Sequence, residues 1–534
     1  MEKVSSAFAG ELKKAGVRHL FGIPSIHNIG FYDALRGEPA MTHVLCRHES
    51  SATHMADGYA RGGAGPGVVV TSTGPGAAYM IPPLMEAWWS SSPVFALSTN
   101  IAAGRIGKKT GVLHEIENQS SMFAPVTREQ FCPRGAEEVI PMTRDALRMM
   151  REGRPGPVFF EVPTDLWDRD CDEHETADNE RGVHEQCEGD LDGAAVILAR
   201  AERPLIVAGT GALRAGIGTA VKALAEVLGA PVVTNAEAKG VIPEDHELAF
   251  GNAARRGVVR DMIRSATAVL AVGTRLRNVD YARRGVTMPH LVHADFDDRF
   301  MDRNFPAEIR LTGSLRAITD GLRERVGQAS GEKSWSSEFR RRLDEERRAI
   351  ADERDEPAFV DAIRRALPRD SSLVIDNTML GYWSEYFYDS YREGGLVTAK
   401  GSSIIGFGFP AAIGLKLARP DHPVAAVTGD GGFFYGAQEL STCIRHGVGF
   451  PLVVVNDGAF GIIDYLQRLI YGQGHETSLI NPDLRSFAAS FGVPADRVHT
   501  PDELEQALAS SLGTGRMHLI ELEASFPESP FVRY

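Results

Sequence analysis

Two short segments near the carboxyl end carry the residue types needed to hold a phosphate group through a metal. VTGDGGFFYG and PLVVVNDGAFG each read as a buried-type apolar strand ending in a loop of glycine and aspartate. Gly429, Gly431 and Gly432 let backbone amides come close to a phosphate. Asp430 and Asp457 are hard oxygen ligands suited to Mg²⁺ or Ca²⁺. In an open parallel sheet ligands bind at the carboxyl ends of the strands, so the two loops are expected to face one site. Either loop alone is also ordinary turn chemistry; the weight comes from the pair.

The elements that must position these loops follow from the alternation of apolar runs with helical patterns. Over residues 1–167, GVRHLFGIP, MTHVLCRHE, PGVVVTSTGPG, SPVFALSTN and GPVFFEVP read as strands, with helical segments such as SSATHMADGYARG between them. Strands alternating with helices predict a doubly wound parallel sheet. Residues 193–327 repeat the alternation (RPLIVAGTGA, APVVTNAEAKG, ATAVLAVGT, HLVHADFD), and residues 357–534 do so again (SSLVIDNT, HPVAAVTGDGG, FPLVVVNDGAFG, MHLIELEA). The expected fold is therefore α/β, with three doubly wound parallel-sheet domains. Residues 168–192 are acidic and poor in large apolar side chains, an exposed linker by composition. Residues 328–356 turn highly charged and helix-prone after a Gly/Ser start, a linking helix.

The order of motifs resembles the thiamine diphosphate-dependent enzymes of the acetolactate synthase, benzoylformate decarboxylase and pyruvate decarboxylase group. GDG followed about thirty residues later by Asn456-Asp457 is similar to that family's cofactor motif. LFGIPSIHNIGFYDAL, LCRHESSATHMADGYAR, VTSTGPGAAYM, GSSIIGFGFPAAIGLKLA and INPDLRSFAASFG extend the likeness from residue 20 to about residue 495. The resemblance implies a pyrimidine-binding domain, a central Rossmann-like domain and a diphosphate-binding domain. It implies Mg²⁺ held by Asp430, Asp457 and the carbonyl of Ala459, with Asp457 standing where Asn is commoner. It places Glu49 against the aminopyrimidine, to share a proton with the ring and so activate the thiazolium. Ile405 props the cofactor's bend and Ser403 offers a carbonyl to its amino group. Thr378, Gly429, Gly431 and Gly432 complete the expected cofactor contacts. His27 and His114 are the candidates for proton relay at the reacting centre.

The activity implied is decarboxylation of a small-molecule 2-oxo acid through a thiazolium enamine, or, as the alternative, acetolactate synthase-like joining of that carbon to a second carbonyl compound. Ile462 and Ile463 stand where pyruvate decarboxylase-like members carry a catalytic glutamate, and GIIDYLQRLIYG lacks the tryptophan segment of anabolic acetolactate synthases. A flavin or nicotinamide oxidoreductase is the distant reading: VAGTGALRAG has a GxG at a strand end, but FAD, though possible in the central domain, is not otherwise indicated. The resemblance also implies a homodimer or homotetramer with sites between subunits. With 57 Lys and Arg against 71 Asp and Glu, the chain of 534 residues has a net charge of −14, which disfavours general nucleic-acid or anionic-membrane binding. Residues 168–192 contribute eleven acids and two bases to that excess. No stretch approaches a membrane span, no secretory pattern opens the chain, and five scattered cysteines suit a reducing, cytoplasmic setting.

Overall fold

The computed structural model describes residues 2–171, 187–252, 257–281, 285–327 and 335–530. Three parallel sheets form where the apolar runs lie. The first is built from β1 (His19–Gly22), β2 (Thr42–Leu45), β3 (Gly67–Thr71), β4 (Val94–Asn100), β5 (Gln130–Phe131) and β6 (Val158–Pro163) in the order β2-β1-β3-β4-β6-β5. The central sheet contains β7 (Pro204–Ala208), β8 (Val232–Thr234), β9 (Ala249–Asn252), β10 (Ala268–Val272), β11 (Leu291–Asp295) and β12 (Ile309–Gly313) in the order β9-β8-β7-β10-β11-β12. The third holds β13 (Ser372–Ile375), β14 (Leu396–Thr398), β15 (Val424–Gly429), β16 (Pro451–Val455), β17 (Ala495–Val498) and β18 (His518–Leu522) in the order β14-β13-β15-β16-β18-β17. The outer sheets thus share one topology, and the central sheet has the dinucleotide-binding order. β3, β4, β6, β7, β10, β11 and β16 are buried along their whole length, as parallel strands covered on both faces must be.

The fold class read from the sequence is the one observed. The strands that reading passed over are β5, β9, β12, β14 and β17. β14, β9, β5 and β17 lie at sheet edges, β12 has only a two-residue strand on its outer side, and Gln130, Arg310, Asp496 and Arg497 interrupt the apolar pattern in three of the five. Residues 172–186, the middle of the acidic stretch, lie outside the described residues. Its flanks are tied down: Asp170–Cys171 pairs with Glu2–Lys3, and Cys187–Glu188 pairs antiparallel with β12. A helix over Trp335–Glu353 buries Trp335, Phe339 and Leu343 against the helix Gly257–Ser265 of the central domain. All five cysteines are free. No described helix is long and apolar enough to cross a membrane.

The outer domains meet through α1 (Glu49–Gly62) and α2 (Gly408–Ala418), the most extensively paired helices in the chain. Their backbones touch because glycines stand at the crossing. A Cβ at Gly58 would lie 2.0 Å from the carbonyl oxygen of Ala411, and one at Gly414 1.8 Å from that of Met55. Beside the crossing, Arg61 joins all three domains. It forks onto Asp57 at 2.7 and 2.9 Å, reaches Glu86 at 3.2 Å and Glu237 of the central domain at 3.5 Å, and donates to the carbonyl of Thr398 at 2.8 Å. Its side chain is 2% exposed. Three acids facing one guanidinium keep it charged, and breaking such a buried set leaves uncompensated carboxylates.

Candidate active site

The carboxyl-terminal domain supplies one group of residues, at the switch point between β13 and β15. β15 ends at Gly429, and Asp430 begins a single helical turn that aims its carboxylate back over the strand ends. Asp430 is 1% exposed. Its Oδ1 accepts from the Gly431 amide at 2.7 Å, and its Oδ2 accepts from the Gly458 amide at 2.9 Å and from Asn481 at 2.6 Å. Burial still pushes its carboxyl up from the ordinary range. Asp457 goes further, to about 7, because of burial and then the charge of Asp430. Two desolvated carboxylates, one of them raised further by the charge of the other, form a site in which a cation is stabilising.

The loop carrying Asp457 is held closed. Gly458 has φ +65°. Ala459 forms an isolated antiparallel bridge with Ser478, and Leu479 donates to the Gly458 carbonyl at 2.6 Å. Asn456 spends its amide on Glu521 at 2.8 Å and on Asn481 at 3.0 Å, so it orients the loop. Thr378 caps the helix after β13, with its Oγ1 3.1 Å from where a Cβ on Gly429 would stand. A Cβ on Gly432 would meet the buried Asp376 at 3.1 Å, and one on Gly431 the Phe460 ring at 2.7 Å. Bare backbone is therefore required around Asp430.

Ser403 and Ile405 lie on the loop before α2. Ser403 has φ +60°, the left-handed region disfavoured for a residue with a side chain. Two anchors over-determine it. Glu86, from the first domain, accepts from the amides of Gly401 at 2.9 Å and Ser402 at 2.7 Å, and Asn377 donates to the Ile404 carbonyl at 2.8 Å. Strain retained between anchors marks a loop held in a defined shape. Ile405 is half-buried there.

The first domain brings Glu49, His27 and His114 together at its own switch point, between β1 and β3. Glu49 is the first residue of α1, and His48 caps that helix by accepting from the Ser50 amide at 3.1 Å. The Glu49 carboxylate lies 3.4 Å from where a Cβ on Gly76 would be and makes no side-chain hydrogen bond among the described residues. His27 is 7% exposed. Its Nδ1 lies 3.3 Å from Ser72 Oγ, and its ring is 5.1 Å from that of His114. Burial, then the neighbouring imidazole, lowers its pKa, so it is neutral at pH 7. His114 is exposed with φ +64°, its carbonyl 2.5 Å from the position of a Cβ on Gly74.

Several positioning residues escaped the sequence reading. Gln119 holds the 73–74 turn through Thr73 Oγ1 at 2.9 Å and the Gly74 amide at 2.7 Å. Asn481, Asn377, Glu86 and Asp376 do the same for the other group. The signal available was slight: a glutamine in a largely exposed loop of mixed charge, and polar residues inside the INPDLRSF and SSLVIDNT segments. Within one chain no hydrogen bond or ring contact among the described residues links Glu49, His27 or His114 to Asp430, Asp457 or Thr378.

The central GxG serves packing. A Cβ on Gly209 would lie 2.4 Å from that of Thr274, and one on Gly211 2.6 Å from the Gly273 carbonyl oxygen. The space left at this crevice is about 10 Å³, room for no more than a water.

Comparison with known proteins gives a consistent result. Residues 2–122 match the family model described as thiamine pyrophosphate enzyme, N-terminal TPP binding domain. Residues 191–322 match the central domain and residues 376–522 the C-terminal TPP binding domain of the same enzymes. A probable 2-ketoarginine decarboxylase of Pseudomonas aeruginosa is 34% identical over 520 residues, 96% of this chain and 92% of the relative. A probable acetolactate synthase large subunit of Methanocaldococcus jannaschii is 30% identical over 544 residues, 97% and 91% of the two chains. The thiamine diphosphate-dependent 4-hydroxybenzoylformate decarboxylase of Rhodococcus jostii superposes with a TM-score of 0.85 at 21% identity, over 99% of this chain and 100% of the other.

Proposed function

The chain belongs to the thiamine pyrophosphate enzymes, as a decarboxylase or carboligase, and we propose that it is a 2-oxo acid decarboxylase whose site forms between two subunits. Bound thiamine diphosphate supplies a thiazolium that accepts the electron pair left when CO₂ departs. Glu49 holds a proton against the aminopyrimidine ring. His27, neutral and buried, takes or gives a proton at the substrate, and His114 extends that relay to the surface. Ser403 and Ile405 fix the cofactor's orientation, which supplies proximity. Gly429, Gly431 and Gly432 admit the diphosphate to the backbone.

Asp430, Asp457 and the Ala459 carbonyl would hold Mg²⁺. The donor set fits: two mutually repelling, partly desolvated carboxylates beside a backbone loop. Two side chains and one carbonyl leave room for further oxygen ligands, which the diphosphate of a bound cofactor would supply. The observation carrying the reading is the occurrence of these two residue groups at equivalent switch points of two sheets with one topology.

Assembly follows from surface chemistry. Ile26 (65% exposed) and Leu113 (58%) flank the histidines, and Tyr435 (60%) and Ile463 (48%) flank the carboxylates. Exposed apolar side chains around both groups support burial against a second copy. A homodimer is the minimum; a homotetramer extends it.

The test is turnover. Purified protein with thiamine diphosphate and Mg²⁺ is offered 5-guanidino-2-oxopentanoate, 4-hydroxybenzoylformate and pyruvate, each alone and with an aldehyde. CO₂ with aldehyde product supports the decarboxylase. A 2-hydroxyketone or acetohydroxy acid as main product moves the assignment to carboligase, the reading favoured by the acetolactate synthase relative. Failure to bind the cofactor overturns both.

A further inference from the structure

Away from the candidate active site, the three domains line an open cleft of about 180 Å³, an order of magnitude more than one water needs. It lies beyond the carboxyl ends of α1 and α2 and at the amino-terminal side of β13, whereas the residues described above occupy the opposite, carboxyl ends of the strands. Its walls carry Arg214 from the central domain and Arg392 and Arg419 from the third. Arg214 donates to the Ser90 carbonyl at 3.2 Å, Arg419 to the Gly62 carbonyl at 2.5 Å, and Arg392 to Ser372 Oγ at 3.1 Å while lying 3.2 Å from the His422 ring nitrogen. None of the three forms an ion pair with a carboxylate among the described residues. The fourth guanidinium on the wall, Arg61, is fully engaged by Asp57, Glu86 and Glu237. The one acid on the wall, Glu393, turns an oxygen to the Gly218 amide at 2.8 Å.

Three half-buried guanidiniums around one cleft are costly without an anion. Burial, then the nearby charge of Arg61, lowers Arg214 to about 10, and burial, then Arg419, lowers Arg392. His422 falls to about 4 for the same reasons, burial first and the two arginines next. Guanidiniums are suited to planar, forked recognition of phosphate and carboxylate. Convergence onto a cleft of about 180 Å³ favours a small ligand over an extended polyanion.

We propose that this three-domain junction binds a small, multiply charged anion bearing phosphate or carboxylate groups, and that the bound anion clamps the domains together. Because its walls include the end of α1, whose first residue is Glu49, occupancy is positioned to act on the active site through that helix.

The test uses the full-length protein saturated with thiamine diphosphate and Mg²⁺, so that the active-site diphosphate position is filled. Inorganic phosphate and tricarballylate are titrated calorimetrically against sodium chloride of matched ionic strength. One saturable site per chain is expected for at least one probe, and the better probe tells phosphate from carboxylate recognition. The Arg392→Gln/Arg419→Gln double variant is expected to weaken that binding at least about tenfold, with cofactor content unchanged. Binding equal in both proteins, or no binding beyond chloride, overturns the proposal. Should the double variant not fold, crystals of the wild-type protein soaked in selenate decide: an anomalous peak between Arg392 and Arg419 supports the site, and its absence sinks it.

Discussion

At the switch point of the carboxyl-terminal sheet, β13 and β15 run into Asp376 and Asp430; at that of the central sheet, β7 and β10 run into Gly209 and Gly273. Both places are crevices where an open α/β sheet can accept a ligand. In the first, glycines surround a carboxylate pair, and the Gly431 and Gly458 amides donate to Asp430. In the second, the glycines face each other: the Gly211 amide donates to the Gly273 carbonyl at 2.7 Å, and the two loops fill the space. The central sheet has the dinucleotide-binding strand order, yet its crevice is shut. Topology offers a position, and the residues at the strand ends decide whether it becomes a site or a joint.

The largest expected effect comes from the carboxylate pair. Asp430→Ala removes the acceptor of three hydrogen bonds and, on the proposed reading, a metal ligand. Activity is expected to fall by at least about a thousandfold, with loss of Mg²⁺-dependent retention of thiamine diphosphate on dialysis and an unchanged far-UV spectrum. Undiminished metal dependence would refute the assignment. Glu49→Gln tests the partner group. It keeps size and removes the proton-holding charge, so turnover should drop by about 10²–10⁴ while cofactor still binds. Wild-type rates in that variant would move the proton chemistry elsewhere.

The opposite behaviour is expected in the central crevice. Gly211→Ala drives a methyl group into the Gly273 carbonyl, and overpacking of this kind costs about 1–3 kcal/mol. The variant should melt earlier by calorimetry, yet turn over normally below its transition, and added FAD should restore nothing. A specific loss of kcat in the folded variant would mean that the central crevice takes part in catalysis.

How much of this could be read in advance follows the same division. Asp430 and Asp457 were legible because each follows a largely buried apolar strand and lies among glycines, a local pattern. The central GxG rightly carried little weight as a ligand site, since such a pattern serves packing when the facing loop is another glycine. Asn481, Glu86 and Gln119 act across 51, 315 and 45 residues of sequence. Nothing in their own neighbourhoods announces those contacts. The edge strands β5 and β17 escaped for a related reason: with one neighbour each, they need no continuous apolar run.

The smallest effect separates the regions by pH. His27 at the first domain's switch point and His293 in the central crevice are both held below the ordinary imidazole value, chiefly by burial. Their surroundings differ. His27 faces His114 and a single serine hydroxyl, whereas His293 is 1% exposed and bonded to the Thr274 carbonyl at 2.8 Å. For either residue the unfolded chain takes up a proton near pH 6.5 and the folded chain only below that. The associated stability is complete above about pH 6.5 and declines as the pH falls towards the folded value. His293→Gln removes that titration, so the acid-side slope of its melting temperature should flatten, while its pH–rate profile matches the wild type. His27→Gln should flatten that slope too, but it should also change the pH–rate profile. Its rate falls by about tenfold or more and loses the acid limb below pH 6.5, because the group that must be neutral to accept a proton is gone. If His27→Gln kept the wild-type acid limb, the proton relay would have to be reassigned, with His114 the next residue to test.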